Sequence, residues 1–288
     1  MTIYRQRQAL SAEPPPHQES IAELYHENTK LRPHAGVASD LVPAADYAVD
    51  EIGAMTRAYN RYEAHPQVPL PELDTSADGG PSFADVVSAR RTVRNFADVD
   101  LDLPTLGTLL RQTYGVTGSA QARGGARFDF RAAPSAGALY PAEIYLGVRR
   151  VDGLDPGIYH FEVPPNSLAL LRPGDPTAAL HEVCCWQPYA REAAVVVLIS
   201  GVLERPRRKY GERGYRYTLL DCGHLAQNLC LSATALGLAI TTTCGFFDDP
   251  ANDLLGLDGL EEAVLYVAFV GPRDDDRSSS ARPTAVGD

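Results

Sequence analysis

The 288-residue chain is predicted to adopt an α+β fold in which helices pack against a central sheet. Two observations carry this prediction. Residues 193–201 form a continuous apolar segment rich in Val and Ile, which is typical of a strand buried on both faces. Residues 217–238 then show the spacing of a long amphipathic helix, whose apolar face is formed by Leu220, Leu225, Leu229, Ala233 and Leu236.

Shorter patterns predict the remaining elements. Apolar residues at mixed three- and four-residue spacing indicate helices, and short β-rich runs indicate strands. The predicted helices cover residues 21–31, 44–62, 83–96 and 103–114. The further predicted strands cover residues 144–148, 157–161, 168–171, 239–243 and 263–270.

The composition restricts the class of protein. Apolar residues make up 44% of the chain, which is enough for a sizeable core. A net charge of −11 argues against nucleic acid or an anionic membrane surface as the main partner. The five cysteines have no C-x-x-C spacing, which favours a reduced protein without a zinc site. No apolar run reaches the ~18 residues of a membrane span, so we expect a cytoplasmic protein without a membrane partner.

Proline- and glycine-rich stretches and changes in composition divide the chain into four predicted parts. Residues 1–16 are polar, end in three prolines and are predicted to be a disordered arm. Residues 17–81 are predicted to be a helical extension followed by a linker. Residues 82–273 form the main domain, and the charged, serine-rich residues 274–288 are predicted to be a disordered tail.

The most informative segment is residues 131–141, with the sequence R-A-A-P-S-A-G-A-L-Y-P. Small side chains at Ser135, Ala136, Gly137 and Ala138 allow backbone N–H groups to approach a planar or anionic ligand closely. A strand follows directly. Small residues also form ordinary tight turns, so this segment does not decide the function by itself.

A second segment, residues 88–96, contains three arginines in five positions. On a helix, Arg90 and Arg94 would share one face. Guanidinium groups suit a phosphate because they can donate two parallel hydrogen bonds to it. The alternative is a solvated basic face.

Two further segments carry side chains or backbone groups suited to chemistry. Lys209 precedes Tyr210 between the buried strand and the long helix, and such a pair can move a proton if its pKa values are lowered. An exposed basic turn is the alternative. Residues 244–249 follow a short strand and begin a helix, where N–H groups could bond an electron-rich ring edge. An ordinary strand-to-helix loop is the alternative there.

In this order, the segments resemble the nitroreductase superfamily and, within it, the SagB-type or thiazole-oxidase-type FMN-dependent dehydrogenases. The resemblance covers about residues 83–273, with a weaker match of Y-H-E-N-T-K at residues 25–30. It implies a nitroreductase-like fold with a central, mostly antiparallel sheet flanked by helices, and one FMN at each subunit interface of a homodimer. The blocks that carry it are R-R-T-x-R-x-F, P-S-A-G-A-L-Y-P, K-Y, D-C-G-H-L-A-Q-N-L-C-L-S-A-T-A-L-G-L, G-F-F-D-D and V-G-P.

The resemblance also implies a role for individual residues. The positions matched to the flavin phosphate and ribityl chain are Arg90, Arg91, Thr92 and Arg94. The positions matched to the loop that approaches the flavin, often from the partner subunit, are Pro134, Ser135 and Ala136. Cys244 and Gly245 match the backbone that faces the flavin N5 side, and Arg273 lies near the position of a second phosphate-binding cation. Lys209 and Tyr210 match the pair associated with azoline oxidation.

The implied function is oxidation of peptide thiazolines or oxazolines to azoles in the biosynthesis of ribosomal peptide natural products. Ala136, Ala138 and Tyr140 depart from the P-S-S-x-N-x-Q-P loop of many nitroreductases, which favours this peptide-oxidising branch. Lys209 or Tyr210 is then the candidate base. The expected partners are a modified precursor peptide and a cyclodehydratase complex. The alternatives are an NAD(P)H-dependent nitro or quinone reductase and a non-redox subunit that binds peptide or flavin.

Overall fold

The computed structural model describes residues 20–30, 53, 55, 59–71, 80–121 and 123–274. The chain forms two compact units, residues 1–39 and 40–288. The first unit contains the helix α1 (Ile21–Asn28), and every other described element lies in the second. Among the described residues, none of the helices combines the length and the apolar character needed to span a bilayer.

The second unit is built on β-strands. In chain order these are β1 (Gln67–Pro69), β2 (Leu101–Asp102), β3 (Val116–Gln121), β4 (Arg127–Arg131), β5 (Ala142–Val148), β6 (Val151–Asp152), β7 (Gly157–Glu162), β8 (Ser167–Pro173), β9 (Val195–Val202), β10 (Leu238–Thr243) and β11 (Glu262–Pro272). Its helices are α2 (Phe83–Ala89), α3 (Leu103–Tyr114), α4 (Thr177–Val183), α5 (Tyr189–Glu192), α6 (Glu204–Tyr210), α7 (Gly214–Ala235) and α8 (Asp248–Leu255).

Seven strands form one sheet in the order β1-β8-β7-β5-β9-β11-β10, and all neighbouring pairs are antiparallel. Strands β3 and β4 form a separate hairpin, and β2 pairs with β6 in parallel. The central strand β9 is buried from Val195 to Gly201, as its apolar sequence predicts. The prediction of an α+β fold with a mostly antiparallel sheet is therefore confirmed.

Helices cover both faces of this sheet because alternate residues of its central strands point in opposite directions. Ile144 and Leu146 of β5 pack with α3 and α7 on one face. Tyr145 and Leu198 pack with α4, α5 and α8 on the other. The sheet is consequently the middle layer of three, and its core strands are shielded on both sides.

Local signals explain where the helices on the first face begin and end. The Asp102 carboxylate accepts a hydrogen bond of 2.8 Å from the Thr105 N–H, which caps the N-terminus of α3. Helix α7 ends just before Gly237, which has a φ of +70°. This conformation is available to glycine without strain, and the predicted stop at Gly237 is confirmed.

Several predicted elements differ from the structure. The helix predicted over residues 83–96 ends at Ala89, and the one predicted over residues 21–31 ends at Asn28. Leu220, assigned to the buried face of the long helix, is 58% exposed. The helices α4, α5 and α6 and the β3–β4 hairpin were not predicted.

Some sequence-based predictions fall outside the described residues. These are the disordered arm at residues 1–16, the disordered tail beyond residue 274, most of the helix at residues 44–62, and the linker at residues 72–79. The proposed division at residues 81 and 273 therefore stays a prediction.

Candidate active site

A cleft of about 210 Å³ lies between the segment after α2, the helix α7 and the end of the sheet. On one side the cleft is lined by Arg90, Arg91 and Thr92. Its other walls come from one face of α7 and from β10 and β11, through Gly223, Ala226, Gln227, Cys230, Ile240, Thr241, Thr242 and Tyr266. Two arginines and a threonine thus lie opposite this wall, and the Arg91 Nη1 donates to the Ser88 carbonyl at 2.9 Å and to the Arg90 carbonyl at 2.8 Å.

The arginine segment follows the end of helix α2 and then runs to the sheet: the Arg90 N–H donates to the Val86 carbonyl of α2 at 2.9 Å. Arg90 has φ −54° and ψ 123°, which is extended, and the Val93 N–H donates a hydrogen bond of 2.8 Å to the Ile240 carbonyl of β10. The prediction that Arg90 and Arg94 share a helical face is therefore wrong. Arg90 and Arg91 both line the cleft from the segment that follows the end of α2.

The positive charge of Arg90 affects the pKa of Cys230 of α7, which also lines the cleft. Burial raises the pKa of the Cys230 thiol, and the positive charge of Arg90 opposes that rise. Arg90 therefore contributes a positive charge close to Cys230, where the cleft meets α7. An anionic group in the cleft would be attracted by the same charge.

Of the cations that the resemblance assigns to phosphate binding, Arg94 and Arg273 do not line this cleft. Arg94 is exposed. Arg273 is exposed as well and follows β11, where its backbone forms an antiparallel bridge with Phe96. Their assignment to a flavin stays a prediction.

The loop at residues 131–141 is fixed by a carboxyl group of α7. The Ser135 hydroxyl donates a hydrogen bond of 2.5 Å to Asp221, and the Tyr140 N–H donates one of 2.9 Å to the Ser135 oxygen. Burial raises the pKa of Asp221, and hydrogen bonds from Ser135 and the Ala136 backbone oppose this rise. Pro134 lies exposed at the start of the loop.

Asp221 is a functional residue that sequence reasoning missed. It is 6% exposed and lies on the buried side of α7, four residues before Leu225. A carboxylate among the apolar positions of an amphipathic helix is a signal that could have identified it, because buried acids need hydrogen-bond partners.

Lys209 and Tyr210 reach the middle of this loop. They form the C-terminal end of α6, and both are half-buried. A Cβ atom added to Gly137 would lie 2.7 Å from the Tyr210 hydroxyl oxygen and 3.0 Å from the Lys209 Nζ. The alternative of an exposed basic turn is therefore wrong, because the two polar groups converge on the loop.

The backbone around Tyr210 is supported by an aromatic contact. The ring of Tyr210 meets the ring of Tyr217 edge to face, with 4.7 Å between their centroids. The Lys209 Nζ lies 5.5 Å from the centroid of the Tyr210 ring. Both potential proton carriers are thus kept on one side of the loop.

The fourth predicted segment, at residues 244–249, follows β10. Cys244 and Gly245 are exposed, and they come directly after Thr242 and Thr243 of the strand that lines the cleft. The Gly245 N–H donates to the Thr243 hydroxyl oxygen at 2.8 Å, and its carbonyl accepts a hydrogen bond of 2.6 Å from the Gln187 side chain. The backbone of this loop is therefore ordered and accessible.

The structure thus connects three of the predicted segments through two elements. Helix α7 carries Asp221, which holds the loop, and also the residues that line the cleft. Strand β10 runs along the cleft and ends at Cys244. Among the described residues, no group of His, Cys, Asp and Glu side chains could hold a metal ion. The arrangement thus comprises a cleft lined by two arginines and, at the loop held by Asp221, the pair of polar side chains Lys209 and Tyr210.

Residues 87–271 match the Nitroreductase family. This chain belongs to that family. A protein of Methanocaldococcus jannaschii named as a nitroreductase is 34% identical over 205 residues, which cover 71% of this chain and 96% of that protein.

Two relatives of this nitroreductase-family chain are named as processing proteins. The microcin B17-processing protein McbC of Escherichia coli is 29% identical over 64% of this chain and 67% of McbC. The trifolitoxin-processing protein TfxB of Rhizobium leguminosarum is 30% identical over 50% of this chain and 40% of TfxB. The predicted resemblance to the SagB-type branch of the nitroreductase superfamily is confirmed.

Solved structures share the fold. A nitroreductase-like structure from Anabaena variabilis has a TM-score of 0.69 and 30% identity, and it covers 88% of this chain. This chain spans 46% of that longer one. The E. coli microcin synthetase McbBCD, in complex with truncated pro-MccB17, has a TM-score of 0.56 and 19% identity, over 88% of this chain and 92% of the matched chain.

Proposed function

We propose that this chain is an FMN-dependent dehydrogenase that oxidises thiazoline or oxazoline rings of a modified precursor peptide to azoles. The observation that carries the proposal is the convergence of Lys209 and Tyr210 on Gly137. Gly137 lies in the loop that the family resemblance assigns to the flavin. The similarity to McbC and TfxB, both named as processing proteins, supports the same reading.

The residues of the cleft fit the phosphate of FMN. Arg90 and Arg91 offer charge-assisted hydrogen bonds, and Thr92 offers a hydroxyl group. Gly223 and Ala226 keep part of the α7 wall free of large side chains. When bound, FMN supplies a hydride acceptor. The proposed cofactor residues further include Arg94, Pro134, Ser135, Ala136, Cys244, Gly245 and Arg273.

The protein itself has to supply the base. Aromatisation of an azoline removes a proton from Cα and a hydride from the neighbouring ring carbon. We propose that the proton is accepted by Lys209 or Tyr210, whichever of the two is unprotonated. The other side chain of the pair then orients this base. Their position against the loop keeps a substrate ring and the base on the same side.

A second copy of the chain would complete the site. Ligand pockets usually measure about 300–1,000 Å³, whereas this cleft measures about 210 Å³. Apolar side chains are exposed nearby, with Phe83 of α2 at 74% and Leu220 of α7 at 58%. A homodimer would cover such residues. We propose a cyclodehydratase as a further partner, since the McbBCD structure is a synthetase complex.

A second candidate is an NAD(P)H-dependent reductase of nitro compounds or quinones. The relative from M. jannaschii, named as a nitroreductase, favours it. Both candidates use the cleft, but only azoline oxidation gives a role to the pair formed by Lys209 and Tyr210. The two are therefore separable by variants of this pair.

The test uses an azoline-containing peptide and the protein loaded with FMN. Conversion is followed by mass spectrometry as the loss of two hydrogen atoms per ring, with flavin content measured in the same samples. Tyr210→Phe and Lys209→Ala should retain FMN and lose about 10²–10⁴-fold in turnover, the usual contribution of a general base. Arg208→Ala is the matched control, because Arg208 lies on the same helix and pairs with Glu204 in solvent.

Two results would contradict the proposal. Near-normal azole formation by both variants would remove Lys209 and Tyr210 from the chemistry. A wild-type protein that leaves azolines unchanged, but whose flavin is reduced by NADPH and then reduces a nitro compound, would favour the reductase.

A further inference from the structure

Helix α6 is anchored to the sheet by one arginine. Arg205 lies four residues before Lys209, so the two share a side of the helix. Its side chain is only 14% exposed. Arg205 makes three contacts at once: with the Glu143 carboxylate at 2.6 Å, with the Tyr140 carbonyl at 2.8 Å, and with the Asn60 side-chain oxygen at 3.0 Å.

The partner of this arginine is a buried charge. Glu143, in β5, is 1% exposed, and it also binds the His160 Nε2 at 3.0 Å and the Asn60 N–H at 2.9 Å. Burial would raise the pKa of Glu143, but the charge of Arg205 and the contact with His160 outweigh it and lower the pKa to about 2. Glu143 is therefore a carboxylate that requires its cation, because a buried charge without a partner is strongly destabilising.

The second contact reaches the loop. The Tyr140 carbonyl belongs to the same residue whose N–H binds Ser135, and Ser135 in turn binds Asp221. One guanidinium group thus joins the helix that carries Lys209 and Tyr210 to the far end of the loop that contains Gly137. Lysine could keep the charge opposite Glu143, but its single ammonium lacks the planar fork that reaches several acceptors.

We propose that Arg205 is a positioning residue that sets Lys209 and Tyr210 against Gly137 by tying α6 to Glu143 and to the Tyr140 carbonyl. The inference rests on the proposed function for its effect on turnover, whereas its structural part concerns only the register between α6 and the loop. Its role is to hold the base in place, and it does not touch the substrate in this assignment.

The first measurement is hydrogen exchange on the full-length protein. Arg205→Lys keeps a cation beside Glu143, so the variant is expected to fold. Amides of residues 135–140 and 207–210 should exchange several-fold faster than in the wild type, while those of α3 should be unchanged. Arg208→Lys, on the same helix, should match the wild type throughout. Equal exchange in the two variants would overturn the proposal, whether or not the protein oxidises azolines.

The second measurement separates positioning from general stabilisation. Arg205→Lys should lower kcat for azole formation about tenfold or more, with FMN content and KM for the peptide close to wild type. In a background that carries both Lys209→Ala and Tyr210→Phe, the same substitution should have almost no further effect on kcat, because its contribution passes through these two side chains. Fully additive losses would show that Arg205 acts elsewhere and would overturn the proposal.

The two measurements also distinguish which claim fails. If the wild type does not convert azolines but Arg205→Lys shows the localised increase in exchange, the proposed function fails and the positioning role stands. If azolines are converted and exchange at the loop is unchanged, the positioning role fails and the proposed function stands.

Discussion

Gly137 lies where the loop meets the pair on α6, and its replacement by alanine is predicted to damage turnover far more than stability. The added Cβ would lie 2.7 Å from the Tyr210 oxygen, which is 0.7 Å short of the 3.4 Å at which ordinary contacts begin. It would also lie 3.0 Å from the Lys209 Nζ. Both side chains would have to withdraw from the loop.

The magnitudes follow from this geometry. Gly137 has a φ of +65°, and an alanine in this left-handed conformation costs about 1–2 kcal/mol. For a domain of this size, we expect the Tm to fall by about 2–8 °C. A displacement of nearly 1 Å at a catalytic group can lower the rate by about 10²-fold, so we expect a loss of about 10- to 100-fold in azole formation.

Gly153→Ala is the matched control for backbone strain. Gly153 has a φ of +80°, and nothing lies within 4 Å of a Cβ added there. The control should therefore show a similar fall in Tm and normal turnover. Thermal unfolding, flavin content and the loss of two hydrogen atoms per ring are measured on the same samples. If Gly137→Ala keeps the turnover of Gly153→Ala, the contact of Lys209 and Tyr210 with the loop has no part in the reaction.

Three further predictions concern the cofactor, acid stability and assembly. Arg90→Ala should raise the dissociation constant of FMN from the apoprotein by about one to two decades, because it removes a charge-assisted hydrogen bond. Arg191→Ala is the control, since Arg191 is exposed and lies outside the cleft. Equal dissociation constants for the two variants would contradict the assignment of the cleft to FMN. Because the pKa of Glu143 is lowered from 4.5 to about 2, its contribution of about 3 kcal/mol is present above pH ~4.5 and lost as the pH falls towards 2. Urea unfolding of Glu143→Gln should show a flatter acid limb, and a limb parallel to that of the wild type would refute this. Leu220→Glu should shift the sedimentation of the protein towards the mass of a monomer, because Leu220 is proposed to lie in the dimer interface. Leu260→Glu is the control, since Leu260 is 77% exposed and has no proposed place in that interface. A wild-type protein that sediments as a monomer would refute the dimer.

The sequence predicted correctly those elements whose burial is visible in their own residues. The apolar run of β9 and the periodicity of α7 identified the central strand and the longest helix, because burial of these elements is visible in their own residues. The predicted extension of α2 to residue 96 was wrong, because the end of this helix depends on a contact with a distant part of the chain. Its end is set by the hydrogen bond from Val93 to Ile240, which no local pattern reveals.

The site was predicted as separate motifs, and the structure supplied the connections between them. Helix α6 was missed because Pro206 interrupts its pattern, although proline is tolerated in a first helical turn. The contact of Arg205 with Glu143 joins residues far apart in the chain, and neither occurs in a motif. The motifs that converge, Lys209 with Tyr210 and the loop around Gly137, could be named in advance, but their contact could not.

Helix α7 fixes the distance between the residue that holds the loop and the residues that line the cleft. Asp221 fixes the loop, and Gly223, Ala226, Gln227 and Cys230 face the cleft at the spacing of a single helical stripe. The separation between Asp221 and the cleft residues is consequently set by the rise of the helix, about 1.5 Å per residue. One inserted residue within this stretch would rotate everything beyond it by about 100° and turn one half of the site away from the other. Length variation within such a chain is therefore expected in its turns and not between residues 221 and 230.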